Sequence, residues 1–214
     1  MKKGFTLIEL LGVIVLIGLI SLLIVPKIND TLKTSKEDLY KIQVENIKDE
    51  AKNWVTDHPY DLPKNNGDEL VISLGELKVG AYIDLKLINP ETDKMFDVAS
   101  KIKITNINGH YDYSVEIGDN EEDVIKNIVY PKIEMQASYL TYLKVGDEYS
   151  ESGISVDGNI LTSDNDMYNV NITNEMGSLN GVASTPGNYL VTYEIINKQT
   201  GVKTVIYRTI IVQN

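Results

Sequence analysis

KGFTLIELLGVIVLIGLISLLIVPKIND, residues 3–30, places a long apolar run near the start of the chain. From Phe5 to Val25 the only charged residue is Glu9, and a helix of this length spans about 30 Å, the thickness of a bilayer core. Lys2 and Lys3 precede the run, and positive charge there holds that end in the cytoplasm, so the following residues should lie outside the cell. The stretch therefore predicts a membrane-spanning helix with one costly carboxylate inside it.

Simpler interpretations of this segment leave features unexplained. A cleaved secretory signal requires small residues in an A-x-A-like pattern after the apolar run, whereas this run ends in LIVPKIND. A plain signal anchor accounts for the length and the flanking lysines but gives Glu9 no purpose. An unpaired or protonated Glu9 that merely tolerates insertion remains the alternative interpretation of the carboxylate.

The stretch Gly4-Phe5-Thr6-Leu7-Ile8-Glu9 resembles the class III leader of type IV pilins and pseudopilins. The resemblance implies that a prepilin peptidase recognises Lys2, Lys3 and Gly4, cuts the Gly4–Phe5 bond and methylates the new amino terminus at Phe5. It further implies that Glu9 and Phe5 direct filament assembly. The cationic amine of Phe5 in one subunit would neutralise Glu9 of a neighbour when their helices pack side by side.

Two further positions fit the same resemblance. Pro26 lies where these proteins often have a proline, and Gly18 lies where a glycine is common. Proline removes a backbone hydrogen bond and glycine weakens a helix. Residues 18–26 are therefore a predicted stretch that could unwind during assembly, although Pro26 could also simply kink the helix at the membrane surface.

Apolar residues at helical spacing beyond Pro26 predict that one helix runs from about Phe5 to about Thr56 and ends at the His58-Pro59 step. We expect the outer half of this helix to pack on a small globular region. The apolar positions are Ile28, Leu32, Leu39, Ile42, Val44, Ile47, Ala51 and Trp54.

Residues 59–120 are expected to form that globular region. Ser73 and Glu76 match a capping box for a short helix that ends at Gly80, and residues 89–94 form a predicted turn. KIKITNI (101–107) and HYDYSVEI (110–117) flank Asn108-Gly109, a strong hairpin signal. This order resembles the pilin architecture, and residues 76–96 are similar to Gram-positive pilin-like proteins.

From Tyr130 to Asn214 the chain predicts a β-sandwich, after an acidic boundary segment at 118–123. Alternation along 189–195 and 205–211 predicts one buried face per strand in a terminal hairpin that turns at 197–201. Residues 145–149, 152–153, 184–193 and 207–209 resemble bacterial immunoglobulin-like repeats. The predicted fold class is α+β. Its predicted units are a leader (1–4), a pilin helix (5–58), a pilin globular domain (59–120) and an immunoglobulin-like sandwich (125–214).

Little in the composition points to catalysis. The net charge of −11 disfavours a nucleic-acid partner, and the absence of cysteine excludes disulfides and thiolate metal sites. His58 and His110 lack metal-ligand spacing and are expected to be exposed, and residues 164–166 lack the features of an EF-hand and are interpreted as a turn. We expect no enzyme activity, no cofactor and no metal site.

The sequence thus favours a minor type IV pilin. Its expected partners are prepilin peptidase, other pilin subunits, the pilus assembly machinery, membrane lipid before assembly and a possible surface receptor bound by the outer domain. It would be held by a single pass in the cell membrane, with its carboxyl-terminal region outside, and then move into an extracellular pilus. A pseudopilin of a type II-like secretion or DNA-uptake system and an uncleaved membrane-anchored adhesin are the alternatives.

Overall fold

A computed structural model describes residues 6–123 and 128–214. The described chain begins with one long helix, α1 (Leu7–Asp57), followed by a 3-10 turn at Pro59–Asp61. The remaining elements of these residues are β1 (Glu69–Ser73), α2 (Leu74–Val79), β2 (Lys101–Ile107), β3 (His110–Glu116), β4 (Ile133–Met135), β5 (Leu140–Lys144), β6 (Glu148–Ser150), β7 (Ile154–Val156), β8 (Asn159–Leu161), β9 (Tyr168–Asn174), β10 (Asn180–Val182), β11 (Gly187–Asn197) and β12 (Lys203–Gln213). The predicted α+β class is confirmed.

The single long helix predicted from the apolar pattern is present. Thr6 caps its start, and at its other end the backbone N–H of His58 donates to the Trp54 carbonyl at 3.1 Å. Pro59 follows immediately and disfavours helical backbone at His58, which is why α1 ends there. Phe5, the predicted first residue, lies outside the described residues.

The outer half of α1 buries only one of its two apolar faces. Ile47, Ala51 and Trp54 are completely buried in the globular core. By contrast, a second set of apolar side chains is 49–57% exposed: Ile28, Leu32, Leu39 and Ile42. At about 100° of rotation per residue, the two sets are centred roughly 100° apart around the helix. The expectation that all these positions pack on the globular region is therefore wrong for the second set.

An antiparallel sheet with the order β1-β2-β3 packs beside α1. The predicted hairpin is confirmed: Asn108 (φ 53°) and Gly109 (φ 85°) form the turn between β2 and β3, with the positive φ values that such a turn requires. β1 was not predicted from the sequence. Its apolar run leads directly into the cap of α2, so a helix signal masked a buried strand.

The short helix α2 follows its predicted cap only in part. The Ser73 hydroxyl accepts from the Glu76 N–H at 2.8 Å, and the Gly80 N–H closes the helix on the Glu76 carbonyl at 2.9 Å. The reciprocal hydrogen bond expected between the Glu76 side chain and the start of the helix does not form. That carboxyl group accepts instead from the hydroxyl of Tyr139, because it is buried where another part of the chain packs on α2.

The carboxyl-terminal strands form a four-stranded sheet with the order β5-β12-β11-β9, a three-stranded sheet with the order β4-β7-β8, and the β6–β10 pair. The predicted terminal hairpin is confirmed. Its turn is held by Asn197 Oδ1, which accepts the N–H groups of Gln199 and Thr200 at 2.9 and 3.0 Å. β5 and β12 pair in parallel, whereas the other pairs are antiparallel.

A buried ion pair connects β12 to the residue that follows β6. Arg208, the only arginine of the chain, lies 3.3 Å from Glu151, and its guanidinium also donates to the carbonyl of Gln136. The hydroxyls of Tyr149 and Tyr193 both donate to Glu151, so the buried charges are hydrogen-bonded as well as paired. The arrangement of these strands as an immunoglobulin-like sandwich stays a prediction.

Both faces of β12 are buried, so the prediction of one buried face is wrong for this strand. Its second face packs on β1 and α2. Val205 and Tyr207 share a cluster with Val71 and Val98, and the Thr209 hydroxyl accepts from the Val71 N–H at 3.0 Å. The four-stranded carboxyl-terminal sheet therefore packs on the region of β1 and α2, which also holds the end of α1.

Gly75 lies at a close approach in this contact. A Cβ atom at this position would lie 2.5 Å from the Val205 carbonyl oxygen and 3.1 Å from its nitrogen. Both obstacles are backbone atoms, which cannot rotate aside as a side chain does. The absence of a side chain at Gly75 thus lets α2 lie directly against β12.

We predict that Gly75→Ala lowers the free energy of unfolding by about 1–3 kcal/mol, because backbone on one side of the contact must move. Denaturant unfolding of the full chain in detergent micelles, followed by circular dichroism, measures the change. Gly181→Ala is the matched control, since its Cβ would meet nothing closer than 3.8 Å. Equal stability of the two variants would show that the contact is loose.

Candidate functional site

The predicted leader lies outside the described residues. This applies to Lys2, Lys3, Gly4 and Phe5, so cleavage of the Gly4–Phe5 bond and methylation of Phe5 remain predictions. The part of the site that the structure describes begins at Thr6 and includes Glu9.

Glu9 is bonded to the start of its own helix. Its Oε2 accepts from both the backbone N–H and the hydroxyl of Thr6, each at 2.8 Å, and its own N–H donates back to the Thr6 hydroxyl at 3.3 Å. This is a complete capping box. Sequence reasoning missed the contact, although the Thr-x-x-Glu spacing at 6–9 was a readable signal for it.

The capping box gives Glu9 hydrogen-bond donors before any neighbouring molecule is present. The first N–H groups of a helix have no partner within the helix, and in hydrocarbon no water replaces one. Thr6 and Glu9 therefore satisfy each other. With these donors, Glu9 does not need a partner in another molecule merely to be tolerated in a membrane.

The first half of α1 is uncovered by the rest of the described chain. All residues from 6 to 35 whose side chains are described are exposed, including Leu7 at 85% and Leu22 at 77%. By length and composition, this helix could cross a membrane. Its apolar side chains therefore need a cover that the chain itself does not supply.

Gly18 and Pro26 both lie inside the continuous helix. A side chain at Gly18 would meet nothing within 4 Å, so packing within the chain does not require this glycine. Pro26 has no N–H to donate to the carbonyl of Leu22, one turn earlier. A weak point in the helical hydrogen bonding therefore exists there, while unwinding of residues 18–26 remains a prediction.

The two histidines occupy different settings. His110 is exposed, as expected, whereas His58 is half-buried, and its ring stacks on Trp54 at 4.0 Å. The expectation of exposure is thus wrong for His58, because the end of α1 is covered by other parts of the fold. Among residues 6–123 and 128–214 no three His, Asp or Glu side chains are placed to hold a metal ion.

The two acidic segments are bound to the fold by hydrogen bonds. Asp164 accepts the Val170 N–H at 2.6 Å and Asn165 accepts the Tyr168 N–H at 2.7 Å, which agrees with the predicted turn. In the 118–123 segment, Glu121 accepts from the Asn89 side chain at 2.6 Å. Residues 118–123 are therefore attached to the 89–97 loop instead of forming a free, solvated run.

Comparison with known protein families finds a match at the start of the chain. The prokaryotic N-terminal methylation motif matches residues 1–25, the range that contains Gly4, Phe5 and Glu9. No curated protein and no solved structure matches the chain. The match thus covers the amino-terminal segment, and the immunoglobulin-like resemblance of the outer strands stays a prediction.

The motif points to a structural subunit that is processed by prepilin peptidase, assembles with other pilins and is anchored in the membrane beforehand. The helix that follows the motif is long, apolar and uncovered, and the rest of the described chain is mostly β-strand. Together these findings support the assignment of this chain to the type IV pilin-type proteins.

Proposed function

We propose that this chain is a minor type IV pilin, cut between Gly4 and Phe5, methylated at Phe5 and packed through α1 into an extracellular filament. The pilus assembly machinery would extract the processed subunit from the membrane. The outer strands would then be displayed on the filament, where they are available for binding a surface receptor.

The observation that carries this proposal is the exposed apolar stripe of α1 outside the membrane segment. A bilayer core covers about 20 helical residues, which accounts for residues up to about Val25. The stripe from Ile28 to Ile42 continues for a further ~21 Å of helix, at 1.5 Å per residue. Charged residues such as Lys27 and Asp30 lie on other faces of the same part of the helix, so the bilayer core does not extend over the stripe. Neighbouring helices in a filament would cover the stripe.

The same stripe favours a filament subunit over an uncleaved anchored adhesin. A permanently anchored protein needs its helix to be apolar only within the bilayer. Apolar side chains beyond it would remain in water, and because each is already about half covered, burying the rest would contribute roughly half of the 1.5–3 kcal/mol of a full burial. Packing of parallel helices in a filament buries the membrane segment and the stripe alike.

The charge distribution agrees with this division of roles. Residues 1–57 carry equal numbers of acidic and basic side chains, so the net charge of −11 belongs to residues 58–214. After the proposed cut, residues 5–57 carry six basic and eight acidic side chains and the new amino terminus adds one positive charge, so the helix is nearly neutral and packs against other pilin helices without large electrostatic repulsion. An acidic outer region disfavours polyanions such as nucleic acid as partners.

The proposed processing is tested by the mass of the mature protein from native cells. We expect a chain that begins at Phe5 and carries one added methyl group on its amino terminus. The same measurement in cells that lack the peptidase should give the chain with residues 1–4 and no methyl group. A product from peptidase-containing cells that retains residues 1–4 would contradict the proposal.

Glu9→Gln is expected to enter the membrane normally but to reduce incorporation into sheared filaments by about tenfold. The amide oxygen still accepts from Thr6, so insertion is preserved, whereas the charge that would pair with a neighbouring Phe5 amine is lost. A pair of this kind in a membrane contributes about 1–2 kcal/mol, which corresponds to that factor. Wild-type incorporation of this variant would refute the proposed pairing.

Leu39→Lys is expected to leave the monomer folded, because the side chain is 51% exposed, and to reduce filament incorporation. Thr34→Lys adds the same charge on an exposed face of α1 away from the stripe and serves as the control. Immunoblots of sheared filaments, with circular dichroism of the purified variants, provide the comparison. Equal incorporation of both variants would show that the stripe is not an assembly surface.

A further inference from the structure

The end of α1 meets the segment before β5 in a cluster of aromatic rings. Trp54, the only tryptophan of the chain, is fully buried and lies edge-on to Tyr139 at 5.1 Å between ring centroids. His58 stacks on the other side of the indole and contacts Tyr139 edge-on at 5.6 Å. Tyr139 thus completes a cluster whose other members belong to the helix end. We refer to this contact as the junction.

A buried carboxyl group lies inside the junction. Glu76 is 6% exposed, and its Oε1 accepts from the Tyr139 hydroxyl at 2.5 Å. Its Oε2 has no hydrogen-bond partner among the described residues, although the Trp54 indole is near enough to favour the charged form. An ionised carboxylate can accept about four hydrogen bonds. The residues around Glu76 supply too few donors to satisfy the charged form. The geometry by itself suits a neutral acid better.

The electrostatics agree with the geometry. Burial raises the pKa of Glu76 to about 7, the Tyr139 hydroxyl and the Trp54 indole oppose that rise, and the negative charge of Asp61 adds to it. Asp61 lies in the 3-10 turn and accepts from the Ser138 hydroxyl and from the Tyr139 N–H at 3.0 Å. A second carboxylate therefore holds the same segment and repels the first.

The other charged groups around the junction interact mainly with residues other than Glu76. The Tyr82 hydroxyl donates to Asp57 at 2.7 Å, and at the edge of the junction Lys132 pairs with Glu134 at 2.7 Å. Lys78 lies on α2 as well, but its buried ammonium has no hydrogen-bond partner among the described residues. Burial lowers the pKa of Lys78 to about 8, and its neighbouring charges are the carboxylates of Glu122, Asp84 and Asp97.

A groove of about 530 Å³ runs along the junction and gives water a route to it. Val79 and Gly80 of the α2 end line one part of the groove, and Ile133 and Met135 of β4 line another. Separation of these walls would hydrate Glu76 without disturbing the sheets themselves. The groove therefore marks where the junction can open.

We propose that the junction is a protonation-controlled joint, in which a proton on Glu76 keeps the segment around Tyr139 against the end of α1 and loss of that proton loosens the contact. Because the joint lies within one chain, the inference does not depend on filament assembly. It would let the outer strands respond to the acidity of the medium around the cell.

The direction follows from the two states of Glu76. When the junction is closed the pKa of Glu76 is about 7, and when it is open and hydrated the group returns toward its ordinary value of 4.5. The closed state therefore binds the proton more strongly, so acid favours closure. The opening equilibrium should increase between about pH 4.5 and pH 7, by roughly 300-fold, and stay constant above that range.

Quenching of Trp54 fluorescence by acrylamide measures the opening without an added label. The full chain in detergent micelles is titrated from pH 4 to pH 9, and we expect access of acrylamide to Trp54 to increase with pH. Glu76→Gln, which cannot ionise, should keep low access throughout. His58→Gln removes the ring that stacks on Trp54 and keeps Glu76, so it changes the packing around the indole but should leave the increase of access at the same pH.

Two further variants test the cause of the transition even if Glu76→Gln fails to fold. Asp61→Asn removes a repelling charge and should move the transition to lower pH. Tyr139→Phe removes a donor to the carboxylate and should move the transition to higher pH. A transition that persists in Glu76→Gln, disappears in His58→Gln or shifts in the opposite directions would overturn the proposal.

Discussion

A helix face that its own fold leaves uncovered is the constraint on which the rest of this structure depends. The carboxyl-terminal quarter of α1 is anchored in a packed core through Ile47, Ala51 and Trp54. The remainder projects from that core with apolar side chains on its surface. The globular region must therefore hold the helix firmly by a short segment and leave the rest free for lipid and then for other helices. The division between an anchored end and an uncovered remainder makes the molecule suitable as a subunit.

The strongest local signals in the sequence predicted the elements that formed. The length of α1, its end at Pro59, the hairpin at Asn108-Gly109 and the terminal hairpin each depend on residues close together in the chain. β1 was not predicted because its apolar run leads directly into the cap of α2, and the second buried face of β12 was not predicted because it depends on contact with residues more than a hundred positions away in the chain. The partner of Glu76 was missed for the same reason: Tyr139 is remote in sequence, and only the folded chain brings it to α2.

The site was predictable to a different extent. The motif at residues 4–9 is local and specific, and the match over residues 1–25 agrees with it. The contact between Thr6 and Glu9 could have been predicted from their spacing. It was missed because the cost of burying a charge in lipid pointed to a partner in another molecule. Both partners can operate in succession: Thr6 holds the carboxylate in the single subunit, and an incoming amine would compete with it. The strength of assembly is then the difference between the two contacts.

The concentration of acidic residues beyond α1 has a consequence for the surroundings of each displayed subunit. The net charge of −11 lies on residues 58–214, so this outer region repels other acidic surfaces, and at physiological salt the repulsion extends over about 8 Å. Close approach to such a surface would then depend on ionic strength or on multivalent cations that bridge the two. Dilute media would keep the outer region clear of acidic surfaces, whereas saline media would let it come into contact with them.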